Sequence, residues 1–342
     1  MKVLVSAFNH YDYLHSIARS FREIGCETIA FDHENATVLD WDHPSLIRRY
    51  RRRRRLKKIN QRFSDIVGSF SPDIVFFVNG EPFFPSVLQK IRNQGIRLVL
   101  RTADTIGNVR RPEHSWTDFD LIVVFEPTDL KDLAKHHAVY MPFGFDPVMY
   151  HPLEETGGTF AFDSVFVGGP HPERFPVLEE VAEFSAREGL RFGIAGPGYF
   201  NTRGLGGIEL RKEFPFLANS IIHDGPLTPH EVNQLYNRSR SAINFHHSQS
   251  REGINMRTFE IPASGTVELV DWHSKLDSFF RIGEEILCYR TVKELCESII
   301  TLRHNDMLRS KIASSGLARA RRDHTMVHRC REILNMISKT PS

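Results

Sequence analysis

The chain has 342 residues, 41% of them hydrophobic and 25% charged, which is the composition of a globular protein long enough to form two domains. Its net charge of only +2 argues against a molecule that binds nucleic acid through its overall charge. The four cysteines have neither zinc-ligand spacing nor the density of a disulfide framework, and no apolar stretch reaches the length of a membrane helix. The first residues, Met1–Phe8, lack the long apolar segment of a signal peptide, so we expect a cytosolic protein.

The first 145 residues alternate between short apolar runs and longer helical patterns, which predicts a parallel sheet with helices on both faces. The predicted strands are Val3–Phe8, Thr28–Phe31, Ile74–Val78, Leu98–Leu100, Leu121–Phe125 and Val139–Met141. The predicted helices are Tyr11–Ile24, Ser45–Phe70, Pro85–Asn93 and Thr128–Ala134. We therefore expect a Rossmann-like domain over residues 1–145.

The alternation stops at Pro142–Pro147 and resumes after Gly157–Gly158, and these turn-rich residues are predicted to link two domains. The strands predicted beyond the linker are Ser164–Val167, Arg191–Ala195, Ile221–Ile222, Ala242–Phe245, Val267–Val270 and Ile286–Tyr289. The order of elements thus repeats the α/β pattern of the first half.

Helix signals in the second half complete this pattern. Two capping boxes predict helices that start after Thr228 and Thr291, and two more helices are predicted over Asp306–Ala320 and Thr325–Ile337. We expect a second Rossmann-like domain over residues 160–322, with a C-terminal helix in residues 323–342 that packs back toward the first domain. Open parallel sheets bind ligands at the carboxyl ends of their strands, so two facing doubly wound domains predict an active site in the cleft between them.

One segment, Arg251–Gly265, has the strongest functional signal, because it follows a predicted strand and has the pattern of a loop that enters a helix. Gly253, Ile254 and Asn255 are predicted to lie near the helix N-terminus, where free N–H groups and the helix dipole attract a diphosphate. Glycine at position 253 lets the backbone approach such a ligand closely.

Two glutamates, Glu252 and Glu260, lie in the same segment. Their spacing would separate them by about 12 Å along a helix, which is near the span from a sugar hydroxyl to a ribose hydroxyl across a diphosphate. Carboxylates are strong acceptors for such hydroxyl groups. The segment is therefore predicted to hold a nucleotide-sugar, and a surface helix with two solvated glutamates is the alternative.

The segment resembles the Glu, seven residues, Glu signature of retaining GT-B glycosyltransferases, and the chain is similar to the CgeB-type group among them. The residues that support this likeness are Val139–Pro147, Ser164–Gly169 and Met256–Glu260. The resemblance implies that Glu260 binds the ribose, that Glu252 contacts the donor sugar, and that the loop after Glu252 binds the phosphates. It also implies a metal-independent enzyme that transfers a sugar from a donor such as a UDP- or GDP-sugar to an acceptor hydroxyl, with retention of configuration.

The sequence departs from the family pattern in two places. The usual Glu-Gly-Phe-Gly is replaced by Glu252–Asn255, and Pro262 lies inside the predicted helix, where proline favours a kink. The pattern does not specify which cations neutralise the diphosphate. We predict Arg174 and Arg257 for this role, and an ordinary surface arginine is the alternative for each.

Other candidates follow predicted strands. On the donor side these are Gly169 and Gly196 in glycine turns, together with His246 and His247 before the key loop. One of the two histidines is expected to donate to a phosphate, and His247 is selected for this role. On the acceptor side Asp104 and His10 are candidates, and either would serve as the base if the reaction inverts configuration. The Asp-x-Asp at residues 40–42 has the pattern of a turn, so no metal or other cofactor is expected.

The run Arg48–Lys58 contains nine basic residues on a predicted amphipathic helix. Three interpretations stay open: a solvated face, a site for an acidic acceptor, or a contact with an anionic membrane that would place the protein at the inner membrane face. Specific nucleic-acid binding is not expected, because no recognition motif accompanies the run. The expected partners are the donor and an acceptor that is a glycan, a lipid-linked molecule or a protein.

Two other functions fit the same features. One is a different GT-B enzyme, such as a nucleotide-sugar epimerase or a phosphorylase, which would form product without an acceptor or with phosphate alone. The other is a nucleotide-binding module without catalysis, which would bind a nucleoside diphosphate and turn over no donor.

Overall fold

The computed structural model describes residues 1–9, 11–33, 46–79, 82–107, 115–154, 160–201, 204–246 and 251–339. Several sequence predictions fall outside the described residues: those for His10, His247, residues 40–42 and Gly157–Gly158, as well as the side chain of Arg48.

The described residues form two compact units. The first consists of residues 1–144, 251–253 and 326–339, and the second consists of residues 145–246 and 254–325. The short segment 251–253 thus belongs to the first unit, although it lies in sequence between two strands of the second.

The described residues contain the following secondary structure. The strands are β1 (Lys2–Ala7), β2 (Glu27–Asp32), β3 (Ile74–Val78), β4 (Arg97–Arg101), β5 (Leu121–Val124), β6 (Ala138–Tyr140), β7 (Ser164–Val167), β8 (Phe192–Ala195), β9 (Ile221–His223), β10 (Ser241–Asn244), β11 (Val267–Asp271) and β12 (Leu287–Tyr289). The helices are α1 (Tyr13–Glu23), α2 (Leu46–Phe70), α3 (Pro85–Arg92), α4 (Phe175–Arg187), α5 (Leu210–Glu213), α6 (Pro215–Ser220), α7 (Pro229–Asn237), α8 (Arg257–Ala263), α9 (Val292–His304), α10 (Asp306–Asp323) and α11 (Met326–Lys339).

The first unit is a parallel sheet with strand order β2-β1-β3-β4-β5-β6. Successive residues of a strand point to opposite faces, so Leu4 joins a core formed with α2 and α3, whereas Val3 and Val5 join a core formed with α1 and α11. Both faces of the sheet are therefore covered by helices. The apolar stripe of α2 that covers one face begins at Leu56 and includes Phe63.

The second unit is also a parallel sheet, with strand order β12-β11-β10-β7-β8-β9. Its main core packs Phe166 and Ile243 of the sheet against helices α4, α6 and α9. The two units together confirm the predicted α/β class, with a doubly wound parallel sheet in each half of the chain.

Each predicted strand is present, with ends within one residue of the prediction, and the capping boxes at Thr228 and Thr291 are formed. Helix α4 was not predicted, although its buried residues have helical spacing. The predicted helix over Thr128–Ala134 is instead a 3₁₀ turn over Pro127–Lys131. Within the described part of the chain, every helix is too short or too polar to form a membrane span.

Candidate functional site

The candidate site in the second unit surrounds the point where the strand order of its sheet reverses. Strand β7 has β8 on one side and β10 on the other, so the chain leaves the neighbouring strands β7 and β10 in opposite directions. Open α/β sheets bind ligands at such a switch point, beyond the carboxyl ends of the strands. Gly168 follows β7 at this edge, and His246 lies just beyond the end of β10.

Two arginines lie at this switch point. Arg257, the first residue of α8, donates a hydrogen bond from Nε to the backbone oxygen of Val167 over 2.7 Å. Arg174 lies in the 3₁₀ turn after β7 with its guanidinium carbon 5.8 Å from the centre of the Phe166 ring, and its Nε has no hydrogen-bond partner among the described residues. Burial and the charge of Arg257 both lower the pKa of Arg174. The two guanidinium groups therefore repel each other, and a bound phosphate would relieve that repulsion.

A buried carboxylate lies on the same helix as Arg257. Glu260 is 6% exposed, and its side chain forms a hydrogen bond with the hydroxyl of Tyr150. Burial raises the pKa of Glu260, while the charge of Arg257 and the hydrogen bond from Tyr150 act in the opposite direction. A carboxylate has the lone pairs to accept hydrogen bonds from two neighbouring hydroxyl groups, which is the chemistry that ribose binding requires.

The start of α8 differs from the prediction. The helix begins at Arg257, so Gly253 lies several residues before it rather than at its N-terminus. The separation of about 12 Å between Glu252 and Glu260 assumed a helix throughout and does not apply, because residues 252–256 are not helical. The helix ends at Ala263, and Gly265, which has φ of 76°, closes its last turn.

Asn255 has a structural task that the sequence analysis did not assign. Its Oδ1 accepts the N–H of Thr258 over 3.3 Å and so caps α8. Its Nδ2 donates to Oδ1 of Asn244 over 2.9 Å, and Asn244 in turn donates to Glu268 over 2.7 Å. Burial raises the pKa of Glu268 to about 8, so this glutamate is a neutral acid in the folded protein at pH 7. Only the backbone of Asn255 is therefore left for a ligand.

The segment 251–253 is held by a residue that the sequence analysis missed. Glu126 follows β5 in the first unit and is fully buried. Its carboxylate accepts the backbone N–H groups of Arg251 over 2.9 Å, Glu252 over 3.2 Å and Gly253 over 3.0 Å. Thr128 adds a hydrogen bond from its hydroxyl over 2.9 Å. A glutamate directly after a buried strand was the available signal in the sequence, but its partners lie more than a hundred residues away.

The charge of Glu126 is stabilised by these contacts. Burial alone would raise its pKa, but hydrogen bonds from the N–H groups of Gly253, Thr128 and Glu252 and from the hydroxyl of Thr128 lower it below the usual value. The N–H of Gly253 is consequently engaged, which corrects the prediction that it is free for a diphosphate. The N–H groups of Ile254 and Asn255 donate no hydrogen bond within the described residues.

Glycine is required at position 253 because the backbone is closely packed. A Cβ atom there would lie 2.7 Å from the backbone oxygen of Phe125 and 3.1 Å from Oε2 of Glu126. The preceding residue, Glu252, is partly exposed and also belongs to the first unit. Asp104, the other described residue predicted to act in catalysis, is exposed in the turn that follows β4 of the same unit.

The glycine turns of the second unit serve close packing of the backbone. Gly196 has φ of 154°, and a Cβ atom there would lie 2.1 Å from the backbone oxygen of Gly168. The turns after β7 and β8 therefore touch only because position 196 is a glycine. A Cβ at Gly169 would meet nothing closer than the His171 ring at 3.8 Å, so the turn after β7 leaves open space there.

Comparisons with known proteins bear on the fold and the class of protein. Residues 176–335 match the model of a family described as glycosyl transferase-like. Sucrose-phosphate synthase from Thermosynechococcus elongatus is 11% identical and superposes with a TM-score of 0.68, with 100% of both chains covered. The chain has the GT-B fold. A second GT-B structure, a glycosyltransferase from Rickettsia africae, is 12% identical with a TM-score of 0.65 over 99% of both chains.

Another structure with this fold contains ligands. HepE from Anabaena, in complex with UDP and glucose, is 14% identical with a TM-score of 0.63 and covers 99% of both chains. No curated protein matches the sequence significantly. The family match and the GT-B neighbours together support a glycosyltransferase.

Proposed function

We propose that the protein transfers a sugar from a nucleoside diphosphate sugar to an acceptor hydroxyl. The observation that underlies this proposal is the pair Arg174 and Arg257 at the switch point of the second sheet, with the carboxylate of Glu260 on the same helix as Arg257. Two cations and a buried carboxylate match the two parts of a nucleoside diphosphate, whose phosphates are anionic and whose ribose carries hydroxyl groups. The binding of UDP and glucose by HepE, which has the same fold, supports the choice of donor.

Each group has a role in this proposal. Arg174 and Arg257 bind the diphosphate, assisted by the N–H groups of Ile254 and Asn255, and Glu260 binds the ribose. Glu252 contacts the donor sugar, as its likeness to the family signature implies. Fixed cations and N–H groups stabilise the departing diphosphate without a metal ion, because they place positive charge where negative charge develops. Retention of configuration follows from the same likeness and is part of the proposal.

The basic run on α2 supports an anionic membrane surface as a further partner. Ile47 and Tyr50 are 65% and 67% exposed, and Leu56 is the first buried residue among the described side chains of this helix. The N-terminal half of α2 therefore presents apolar and cationic groups together, which is the combination that binds the interface of an anionic bilayer. The acceptor in this proposal is an alcohol, and a lipid-linked acceptor would be reached at such a surface.

The test of the donor site is calorimetric titration with UDP, GDP, ADP and dTDP. We expect the wild type to bind one of them, and Arg174→Met to weaken that binding roughly 10- to 100-fold, the usual effect of losing a charge-assisted hydrogen bond. Because the ligand-free site holds two repelling cations, the same variant should unfold at an equal or higher temperature than the wild type. Arg187→Met, at an exposed position at the end of α4, is the matched control and should leave binding unchanged.

Turnover assays separate the remaining functions. Release of the nucleoside diphosphate that requires an acceptor alcohol supports the transferase. Conversion of the donor without an acceptor would indicate an epimerase, and phosphorolysis would indicate a phosphorylase. Tight nucleotide binding without any turnover in a broad acceptor screen would indicate a binding module.

A further inference from the structure

A second group of polar side chains lies at the same edge of the second sheet. His246, just after β10, donates a hydrogen bond from Nδ1 to Oδ1 of Asp271, the last residue of β11, over 2.8 Å. The backbone N–H of His246 donates to the same oxygen over 2.9 Å. The imidazole of His246 also packs on that of His273, with ring centres 4.7 Å apart. Both the position and the orientation of the His246 ring are therefore fixed.

The other ring nitrogen of His246 is the notable atom. The His246 side chain is only 3% exposed, and its Nε2 is buried without a hydrogen-bond partner among the described residues. A buried polar nitrogen without a partner costs free energy, so such atoms usually have a ligand or a water molecule in the functional state. A carboxylate only accepts hydrogen bonds, so the contact with Asp271 requires a proton on Nδ1. Donation from Nε2 to a phosphate as well requires the imidazolium form, whose charge Asp271 and the phosphate would balance.

His246 lies close to the proposed cations. It follows β10, whereas Arg257 is hydrogen bonded to the last residue of β7, the neighbouring strand. The carboxylate of Asp271 is also near enough to Arg174 for its charge to raise the pKa of that arginine. The groups beyond the ends of β7, β10 and β11 thus form one cluster around the switch point.

We propose that His246 is a further ligand of the diphosphate, that its Nε2–H donates to a phosphate oxygen, and that Asp271 is the positioning residue that orients it. This inference rests on the proposed function, because it needs a diphosphate at the switch point. It assigns the phosphate contact to His246, whereas the sequence analysis had selected its neighbour His247.

Two replacements of His246 distinguish this role from a structural one. The amide nitrogen of glutamine reaches the place of Nε2, so His246→Gln retains the phosphate donor and loses the contact with Asp271. The amide nitrogen of asparagine reaches the place of Nδ1, so His246→Asn retains the contact with Asp271 and loses the phosphate donor. A purely structural histidine would tolerate asparagine better than glutamine.

The measurement is calorimetric titration with UDP, GDP, ADP and dTDP, each paired with its nucleoside. For the diphosphate that the wild type binds, we expect His246→Asn to weaken binding roughly 10- to 100-fold and His246→Gln to weaken it less than about 5-fold. Affinity for the nucleoside should stay the same in both variants. Asp271→Asn should weaken diphosphate binding in the wild type and have little further effect in His246→Asn, because it acts through the histidine.

The outcomes separate the two proposals. A wild type that binds none of the four diphosphates would overturn the proposed function together with this inference. A wild type that binds one of them, with His246→Asn binding it equally well, would overturn the inference alone. Equal losses for nucleoside and diphosphate would also overturn it, since they would indicate disturbed packing rather than a lost phosphate contact.

Discussion

Replacement of Glu126 by glutamine should release the segment Arg251–Gly253. The carboxylate uses both oxygens to accept three consecutive backbone N–H groups and the hydroxyl of Thr128, whereas an amide has a single acceptor oxygen. Hydrogen bonds to a charged acceptor stabilise by about 1 kcal/mol more than neutral ones, and at least one donor loses its partner altogether. We therefore expect a local loss of about 2–4 kcal/mol, which corresponds to roughly 30- to 1000-fold more frequent opening of this segment.

Hydrogen exchange of the amides of residues 251–253 measures this opening directly. Glu126→Gln should reduce their protection by the stated factor and leave the amides of β1 unchanged. Thr128→Val is the matched control, because it removes one hydroxyl contact of the same carboxylate, and its effect should stay below about 10-fold. Equal protection of residues 251–253 in Glu126→Gln and in the wild type would refute the assignment of Glu126 as their anchor.

Three further predictions concern other parts of the molecule. The pKa of Glu268 is about 8 in the folded protein, against 4.5 for an exposed glutamate. Between pH 4.5 and about 8 the folded state therefore binds a proton that the unfolded state has lost. The free energy of unfolding falls as the pH rises through this window, by up to roughly 5 kcal/mol. Glu268→Gln should flatten the dependence of the unfolding temperature on pH, and an unchanged slope would show that Glu268 does not cause it. In Gly316→Ala the new Cβ would lie 2.4 Å from a backbone oxygen, so we expect the free energy of unfolding to fall by about 2–3 kcal/mol in thermal unfolding. In the control Gly68→Ala, at an exposed helix position, the new Cβ meets nothing within 4 Å, and the free energy of unfolding should rise by about 0.5–1 kcal/mol. Reversing two charges of α2 with Arg51→Glu and Arg54→Glu should lower flotation with anionic vesicles roughly 100-fold or more and leave neutral vesicles unaffected; equal binding of wild type and variant to both would dismiss the membrane surface.

Local patterns in the sequence were sufficient to predict the architecture. Strands buried on both faces appear as short apolar runs, such as Ile74–Val78, and the helices between them are marked by local signals such as the capping boxes at Thr228 and Thr291. These signals extend over only a few residues, so they can be recognised without knowledge of the tertiary structure. The alternation of the two element types then leads to parallel sheets, because parallel strands require a crossover connection.

The candidate site was predictable only in part, because local signals do not show which distant residues come into contact. Arg174 and Arg257 could be selected because each lies near a strand end or helix start, but their mutual repulsion depends on the packing of β7 against α8. The family likeness pointed to Glu252 and Glu260 without indicating that the helix starts only at Arg257.

The sequence by itself determined the order of the helices and strands and the class of fold. The hydrophobic periodicity, helix caps and turn residues that specify these features each act over only a few residues. Only the tertiary structure decided that Glu126 holds Arg251–Gly253 and that Asp271 orients His246. In the first pair the partners are separated by more than a hundred residues, and in the second they lie at the ends of neighbouring strands, His246 after β10 and Asp271 in β11. Burial removes the competing water from such contacts, so their strength depends on a packed environment that no local pattern specifies.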